Sequence, residues 1–239
     1  MFPFVVYQSQ TTYLRRHLSI FTYMLLVLWT VLSALLGFAT GQGLRFDRYP
    51  SMKWQYVPYE ISSDFNQAQK RKIENTLNRW NQQVGCIKFS PRRNNELDYV
   101  FIFGGDGCWS HLGKIGGQQR LSLQKDGCIY RSTILRQLMH VVGFAYEHNR
   151  WDRDNYVELL WDNIPEVWES LYQKTDPADF GLQGMYDYYS LMHSDYNAPG
   201  TNKPAFRVKQ TGVDNNRIGN GINGDLTNMD LQKIREQYC

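Results

Sequence analysis

The chain lacks a strong excess of either charge. Its 26 Lys and Arg against 23 Asp and Glu leave a formal net charge of +3 over 239 residues. Apart from Lys70-Arg71-Lys72 and Arg92-Arg93 the basic residues are scattered. A field that weak does not line up with a phosphate backbone, so no nucleic-acid partner is expected. No Asn-x-Ser/Thr sequon occurs, so N-glycosylation is not expected either. Internal repeats, low-complexity segments and a long polar tail are also missing, which argues against a repeat array or a disordered binding chain. Histidine is scarce at five residues, and no His-Glu-x-x-His occurs among them. Cysteine is limited to Cys86, Cys108, Cys128 and Cys239.

What is present begins with enough apolar material for one core: 42% hydrophobic and 15% aromatic residues. About 190 residues remain for folding once the N-terminal segment is set aside, which suits one domain of up to two lobes. Arg15-Arg16-His17 precedes an uncharged stretch from Leu18 to Gly43 that includes Met24-Leu25-Leu26-Val27-Leu28-Trp29. Basic residues ahead of an apolar run direct a chain into the secretory pathway. Small residues at Ala39-Thr40-Gly41 offer a signal-peptidase site, which makes the protein secreted. The alternative is a single-pass type II anchor through residues 18–39, with its basic end in the cytosol. The expected organisation is therefore 1–41 leader or anchor, 42–53 short pro-like linker, and 54–239 folded domain. Four cysteines downstream of such a leader imply two disulfides, and three pairings are open.

The folded part reads as mixed α and β. Lys53 to Ile61 and Cys86 to Phe89 read as strands, as do Leu97 to Phe103 and Arg120 to Leu123, while Gly104 to Gly117 reads as loop. Phe65 to Gln83 carries Ile73, Leu77 and Trp80 near helical spacing. Ser132-Thr133 offers an N-cap for a helix that Gly143 would end. Thr227 and Asp230 suggest a capping box within a last helix from Asp225 to Tyr238.

The run Leu135-Arg136-Gln137-Leu138-Met139-His140-Val141-Val142-Gly143-Phe144-Ala145-Tyr146-Glu147-His148 resembles the zinc-binding signature H-E-x-x-H-x-x-G-x-x-H-E of the astacin family. Arg136, Gln137 and Tyr146 stand at the first His, the Glu and the third His; His140, Gly143 and Glu147 match. Tyr186 to His193 is similar to the family's Met-turn, with Met192 in place and Ser194 where a tyrosine follows. From Trp54 to Cys239 further segments agree in the same order, including Ile73 to Trp80, Gly107-Cys108-Trp109-Ser110, Gly127-Cys128-Ile129, Glu147 to Val157 and the closing Tyr238-Cys239.

The resemblance implies an α+β, two-lobed metzincin fold. An upper lobe would hold a mixed sheet and two long helices, a loop-rich lower lobe would lie opposite, and a substrate cleft would run between them. It implies disulfides Cys86–Cys239 and Cys108–Cys128, and gives Glu147 the role of anchoring an N-terminus freed from a propeptide. Phe46-Asp47 is at best a remnant of that propeptide's Phe-x-Gly-Asp motif.

The residues themselves speak against the family's chemistry. Positions i and i+4 share a helix face, so Arg136 and His140 face the cleft together where two imidazoles would hold Zn. A neutral phenol at Tyr146 is a poor ligand. Full structural zinc sites gain about 10 to 16 kcal/mol from their metal, of which one His supplies a small share. A guanidinium at about 4 Å from Zn²⁺ repels it by roughly 8 kcal/mol at an effective dielectric of 20. Gln137 hydrogen-bonds water but cannot take its proton, which removes the general base. His111, His148 and His193 are not expected to complete a site.

The expectation is an exported astacin-like pseudoprotease without zinc or other cofactor, whose cleft takes an extended polypeptide or an extracellular protein. The alternative is a zinc-dependent metalloendopeptidase with an atypical or weak active site.

Overall fold

The computed structural model describes residues 42–182, 184–221 and 224–239. The leader or anchor expected over residues 1–41 lies outside them. Among the described residues no helix is long and apolar enough to cross a membrane.

Helix α1, Gln67–Val84, starts at a capping box: Asn66 Oδ1 accepts the Gln69 backbone N–H at 2.9 Å, and Gln69 Oε1 accepts that of Asn66 at 3.0 Å. Two of the four orphan donors at the helix start are thereby satisfied. Ile73, Leu77, Trp80 and Val84, spaced by four, three and four, form its buried stripe. Gly85, at φ +83°, ends it.

The helix packs with a five-stranded sheet of β2 (Val57–Ile61), β3 (Phe89–Pro91), β4 (Tyr99–Phe103), β5 (Cys108–Ser110) and β6 (Gln118–Leu123), in the order β3-β2-β4-β6-β5. The first three pairings are parallel and β5 runs antiparallel at the edge. Two strand expectations shift. Cys86-Ile87 precedes the strand, because Trp80 Nε1 claims the Ile87 carbonyl at 2.8 Å and Cys86 is tied to Cys239. The stretch expected to be all loop contains β5, a three-residue strand too short for a period-2 signal and defined only by its pairing with β6.

Helix α2, Arg131–Val141, is buried nearly all round, through Ile134, Leu135, Gln137, Leu138, Met139, His140 and Val141. That marks a helix inside the body rather than on it. Ser132 and Thr133 do not cap it. The N-cap is Tyr130, without a side-chain bond, and the entry is set by the disulfide Cys108–Cys128 just before it. Its end follows the expectation: Gly143 takes φ +91°, its N–H reaches the His140 carbonyl, and Phe144 N–H reaches Met139. That is a Schellman closure, and it turns the chain sharply toward Tyr146.

A second core is built from Val157, Ile164, Tyr172, Tyr186, Phe206 and Ile218. It carries the two-stranded pair β7 (Val157–Leu159) with β9 (Phe206–Val208) and the short helix α3 (Glu166–Glu169), and is otherwise loops. The two cores are the two lobes, α+β with a mixed sheet above and loops below. Helix α4, Asn228–Tyr238, begins at the Thr227–Asp230 capping box and brings Cys239 to Cys86. Residues 42–53 are not a free linker: β1 (Gln42–Leu44) pairs antiparallel with β8 (Phe180–Leu182), Leu44 N–H donates to Gly143, and the Phe46 ring meets Tyr238 edge-on at 5.7 Å. Buried apolar contact holds this segment, and no local periodicity announces it.

Candidate active site

Helix α2 carries Arg136, Gln137 and His140, and the Schellman turn at Gly143 brings the chain round to Tyr146. Arg136 points off α2 toward the Met-turn. Its Nε donates to Leu191 O at 2.7 Å and its Nη2 to Gly219 O at 2.7 Å. Asp195 lies 3.5 Å from Nη2, but its side chain is 76% exposed. Gly219 is required for this closure: a Cβ there would stand 2.5 Å from Ser194 O and 2.7 Å from His193 O.

One turn along, His140 is buried and its Nδ1 donates to Phe144 O at 2.8 Å. The Tyr146 ring sits edge-on to His140 at 4.7 Å and stacked on His148 at 5.1 Å. Burial raises the Tyr146 phenol above its ordinary pKa, and Arg136 offsets this in part. Gln137 is buried beside the sheet edge. Its Nε2 lies 3.5 Å from Cys108 O, and its Oε1 has no partner among the described residues.

Met192 is buried beneath this group, and its carbonyl accepts the Glu147 backbone N–H at 2.9 Å. Ser194 donates its backbone N–H to His148 Nδ1 at 2.9 Å, while its hydroxyl lies 3.4 Å from Asp195 O. These bonds fix the imidazoles. His148 carries its proton on Nε2, toward Leu171 O. His193 carries its own on Nδ1, toward Ser194 O, and accepts from Tyr186 Oη at 2.7 Å. The structure thus brings Arg136, His140, Tyr146, His148, His193 and Ser194 into one neighbourhood, while His111 lies apart beside Trp109. Among the described residues no three His, Cys, Asp or Glu side chains are grouped to hold a metal.

Burial is the main force on these histidines and the Arg136 charge adds to it. His140 and His193 are pulled down to about 4, and His148 well below 6.5. The unfolded chain therefore takes up protons first as pH falls from 6.5. Stability is full above that value and is lost toward pH 4, by about 1.4 kcal/mol per pH unit for each histidine once well below 6.5. The Asp187 carboxyl, raised by burial and by Asp230, acts in the opposite sense, but it is one group against three. Urea unfolding at pH 7.5, 6 and 5 should show a steep decline, and a flat profile would contradict three buried neutral imidazoles.

The run Glu147, Arg150, Asp152, Arg153 and Asp154 reads in the sequence as a salt-bridge and turn network, and Glu147–Arg150, Arg150–Asp152 and Arg153–Asp154 do pair. Sequence reasoning missed the other partners of Glu147, Lys233 and Asp187. Glu147 Oε2 receives Lys233 Nζ at 2.8 Å, and its Oε1 receives Arg150 Nη1 at 3.1 Å and Asp187 N–H at 3.0 Å. Both oxygens of the residue that resembles an N-terminus anchor are taken by the chain itself. The available signal was the Asp230, Lys233, Ile234 spacing, which puts a lysine on the buried face of α4.

A two-lobed α+β body with a central helix closed by a Schellman turn and a buried Met-turn below it is the architecture of a metzincin-type peptidase domain. The chain belongs to the astacin family: it matches the peptidase family model Astacin over residues 46–239. It is 38% identical over 187 residues to zinc metalloproteinase nas-8 of Steinernema carpocapsae, covering 76% of this chain and 43% of that protein. It is 36% identical over 183 residues to zinc metalloproteinase nas-7 of Caenorhabditis elegans, covering 76% and 46%. The chain thus spans less than half the length of these relatives. Among solved structures it is similar to high choriolytic enzyme 1, a hatching-enzyme zinc-protease of the medaka Oryzias latipes. The TM-score is 0.68 at 30% identity, over 79% of this chain and 94% of that one.

Proposed function

We propose that this is an exported astacin-fold pseudoprotease that binds an extended polypeptide in its cleft and cleaves none. The observation that carries the reading is Arg136. At the position of the first zinc-binding histidine it presents a guanidinium, held in place by the carbonyls of Leu191 and Gly219. The donor set left for a metal is one imidazole, His140, and one buried phenol with a raised pKa, Tyr146, beside that fixed positive charge. These residues do not fit zinc. Gln137 supports the same reading, because an amide takes no proton from water and this one leans on the Cys108 carbonyl. The open edge of β5 supports polypeptide binding, since an extended segment adds there as a further strand.

The relatives' names favour the second reading, a zinc-dependent metalloendopeptidase with an atypical site, and one experiment separates the two. Purified protein is assayed for zinc by elemental analysis and for casein cleavage with and without chelator. Trace zinc and no cleavage are expected; stoichiometric zinc with chelator-sensitive proteolysis would refute the proposal. In the same assay, Arg136→His, Gln137→Glu, Tyr146→His and Ser194→Tyr together should bring zinc to about one per chain, the stoichiometry of a mononuclear site.

A further inference from the structure

Large apolar side chains stand in solvent on three consecutive turns of the lower lobe. The short 3-10 turns Trp161–Asn163 and Ser170–Tyr172, with α3 between them, present Trp161, Val167, Trp168 and Leu171, each 41% to 73% exposed. An exposed Leu on its own needs no account, whereas a run of such side chains marks a surface that meets something. The frame beneath them is fixed. Ile164 and Tyr172 belong to the second core, Asn163 Nδ2 donates to Pro204 O at 3.0 Å, and Arg153 Nη1 donates to the Tyr172 carbonyl.

The point where the chain enters the domain is close to these turns. Gln42 is buried, pairs with Leu182 across β1 and β8, and donates through Nε2 to Thr175 Oγ1. Thr175 follows Leu171 by four residues, about 14 Å of chain at full extension. Upstream, only Thr40 and Gly41 separate Gln42 from the apolar stretch at 18–39, a further reach of about 11 Å at most. Where that stretch is a membrane anchor, the tether is too short to let the domain stand off. The bilayer surface is then held against the side of the lower lobe where the chain enters.

Composition selects the lipid. Tryptophan favours the headgroup level, where its ring is apolar and its N–H stays wet. Asp162, Glu166 and Glu169 stand among these side chains, and the nearby Lys174 is paired with Asp154 at 2.7 Å. Such a face is repelled by anionic headgroups and suits zwitterionic ones.

We propose that this face of the lower lobe rests on a phosphatidylcholine-type bilayer, with the chain anchored through 18–39 and Trp161, Val167, Trp168 and Leu171 seated at the headgroup level. The proposal goes beyond the pseudoprotease reading and does not depend on what the cleft holds.

The test uses the full chain, in a Trp29→Phe background, reconstituted in phosphatidylcholine vesicles whose acyl chains are brominated near the headgroup end. Bromine quenches tryptophan on contact, and Trp29→Phe removes the tryptophan of the apolar stretch itself. Six of the seven tryptophans then remain, and Trp54 and Trp80 are buried. Loss of about one third of the emission is expected, the share of Trp161 and Trp168. Trp161→Phe/Trp168→Phe should remove most of that quenching. Val167→Asp, at a side chain 73% exposed and therefore without loss of packing, should weaken it about twofold. Added phosphatidylserine should not strengthen it. Unquenched emission from vesicle-bound chain would overturn the proposal, as would quenching that survives the double Phe variant or grows with phosphatidylserine. A chain that does not float with the vesicles would overturn the anchor and the seat together, and leave the zinc and cleavage assays of the pseudoprotease reading untouched.

Discussion

Replacing Lys233 with Met is expected to cost about 3 to 5 kcal/mol of folding stability, the range for removing one partner of a buried ion pair. Lys233 Nζ and Glu147 Oε2 are 2.8 Å apart, and each side chain is 3% exposed. Burial drives the Glu147 carboxyl upward, but Lys233 and Arg150 together hold it below the usual carboxylate range. Without Lys233 the carboxylate keeps Arg150 and the Asp187 N–H, and loses the one donor that its second oxygen has among the described residues. Burial then prevails and the folded-state pKa rises above the unfolded one. A group shifted that way is destabilising above its folded pKa and relieved below it, so the deficit measured at pH 7 should shrink at pH 5. Urea midpoints at both pH values for Lys233→Met, Glu147→Gln and the double variant provide the check. The double variant should recover part of the loss, because it removes the buried charge along with its partner. A deficit under 1 kcal/mol, or one independent of pH, would mean the pair is not buried in solution.

Removing the Cys86–Cys239 bridge as Cys86→Ser/Cys239→Ser should cost about 5 kcal/mol in the loop-entropy model, since it closes a sequence separation of 153 residues. The shorter Cys108–Cys128 bridge, separation 20, is worth about 3 kcal/mol on the same account. The long bridge has a second effect. Cys239 is the C-cap of α4, and that helix carries Lys233 to Glu147 and Asp230 to Ser190 and Leu191 beside the Met-turn. Freeing the end of α4 loosens both anchors, so the double Cys variant and Lys233→Met should be non-additive. Thermal melts of the single, paired and combined variants test this, and strict additivity would argue that α4 stays docked without its disulfide.

Much of the frame was legible along the chain because it is written in local chemistry. The Ile73, Leu77, Trp80 stripe marked α1, Gly143 marked the end of α2, and Thr227 with Asp230 marked the start of α4. What escaped had no local signature. Strand β5 is three residues long and exists by pairing, and β1 is held by contacts with Phe180–Leu182 and Gly143 far along the chain. Asn66 caps α1 by a reciprocal bond that the sequence pattern permits, whereas the Ser132-Thr133 cap it equally permits does not form.

The candidate site divides the same way. The sequence by itself determined which donors and bases are present, because the chemistry of Arg136, Gln137, His140, Tyr146 and Ser194 belongs to each side chain wherever it is placed. Only the tertiary structure decided where the charges go. Arg136 finds its carbonyls 55 and 83 residues away, and Glu147 finds its lysine 86 residues away. Such partners are selected when burial strips water from a charge and leaves it to the nearest groups the folded chain supplies, a choice made by contact in space and not by any pattern along the chain.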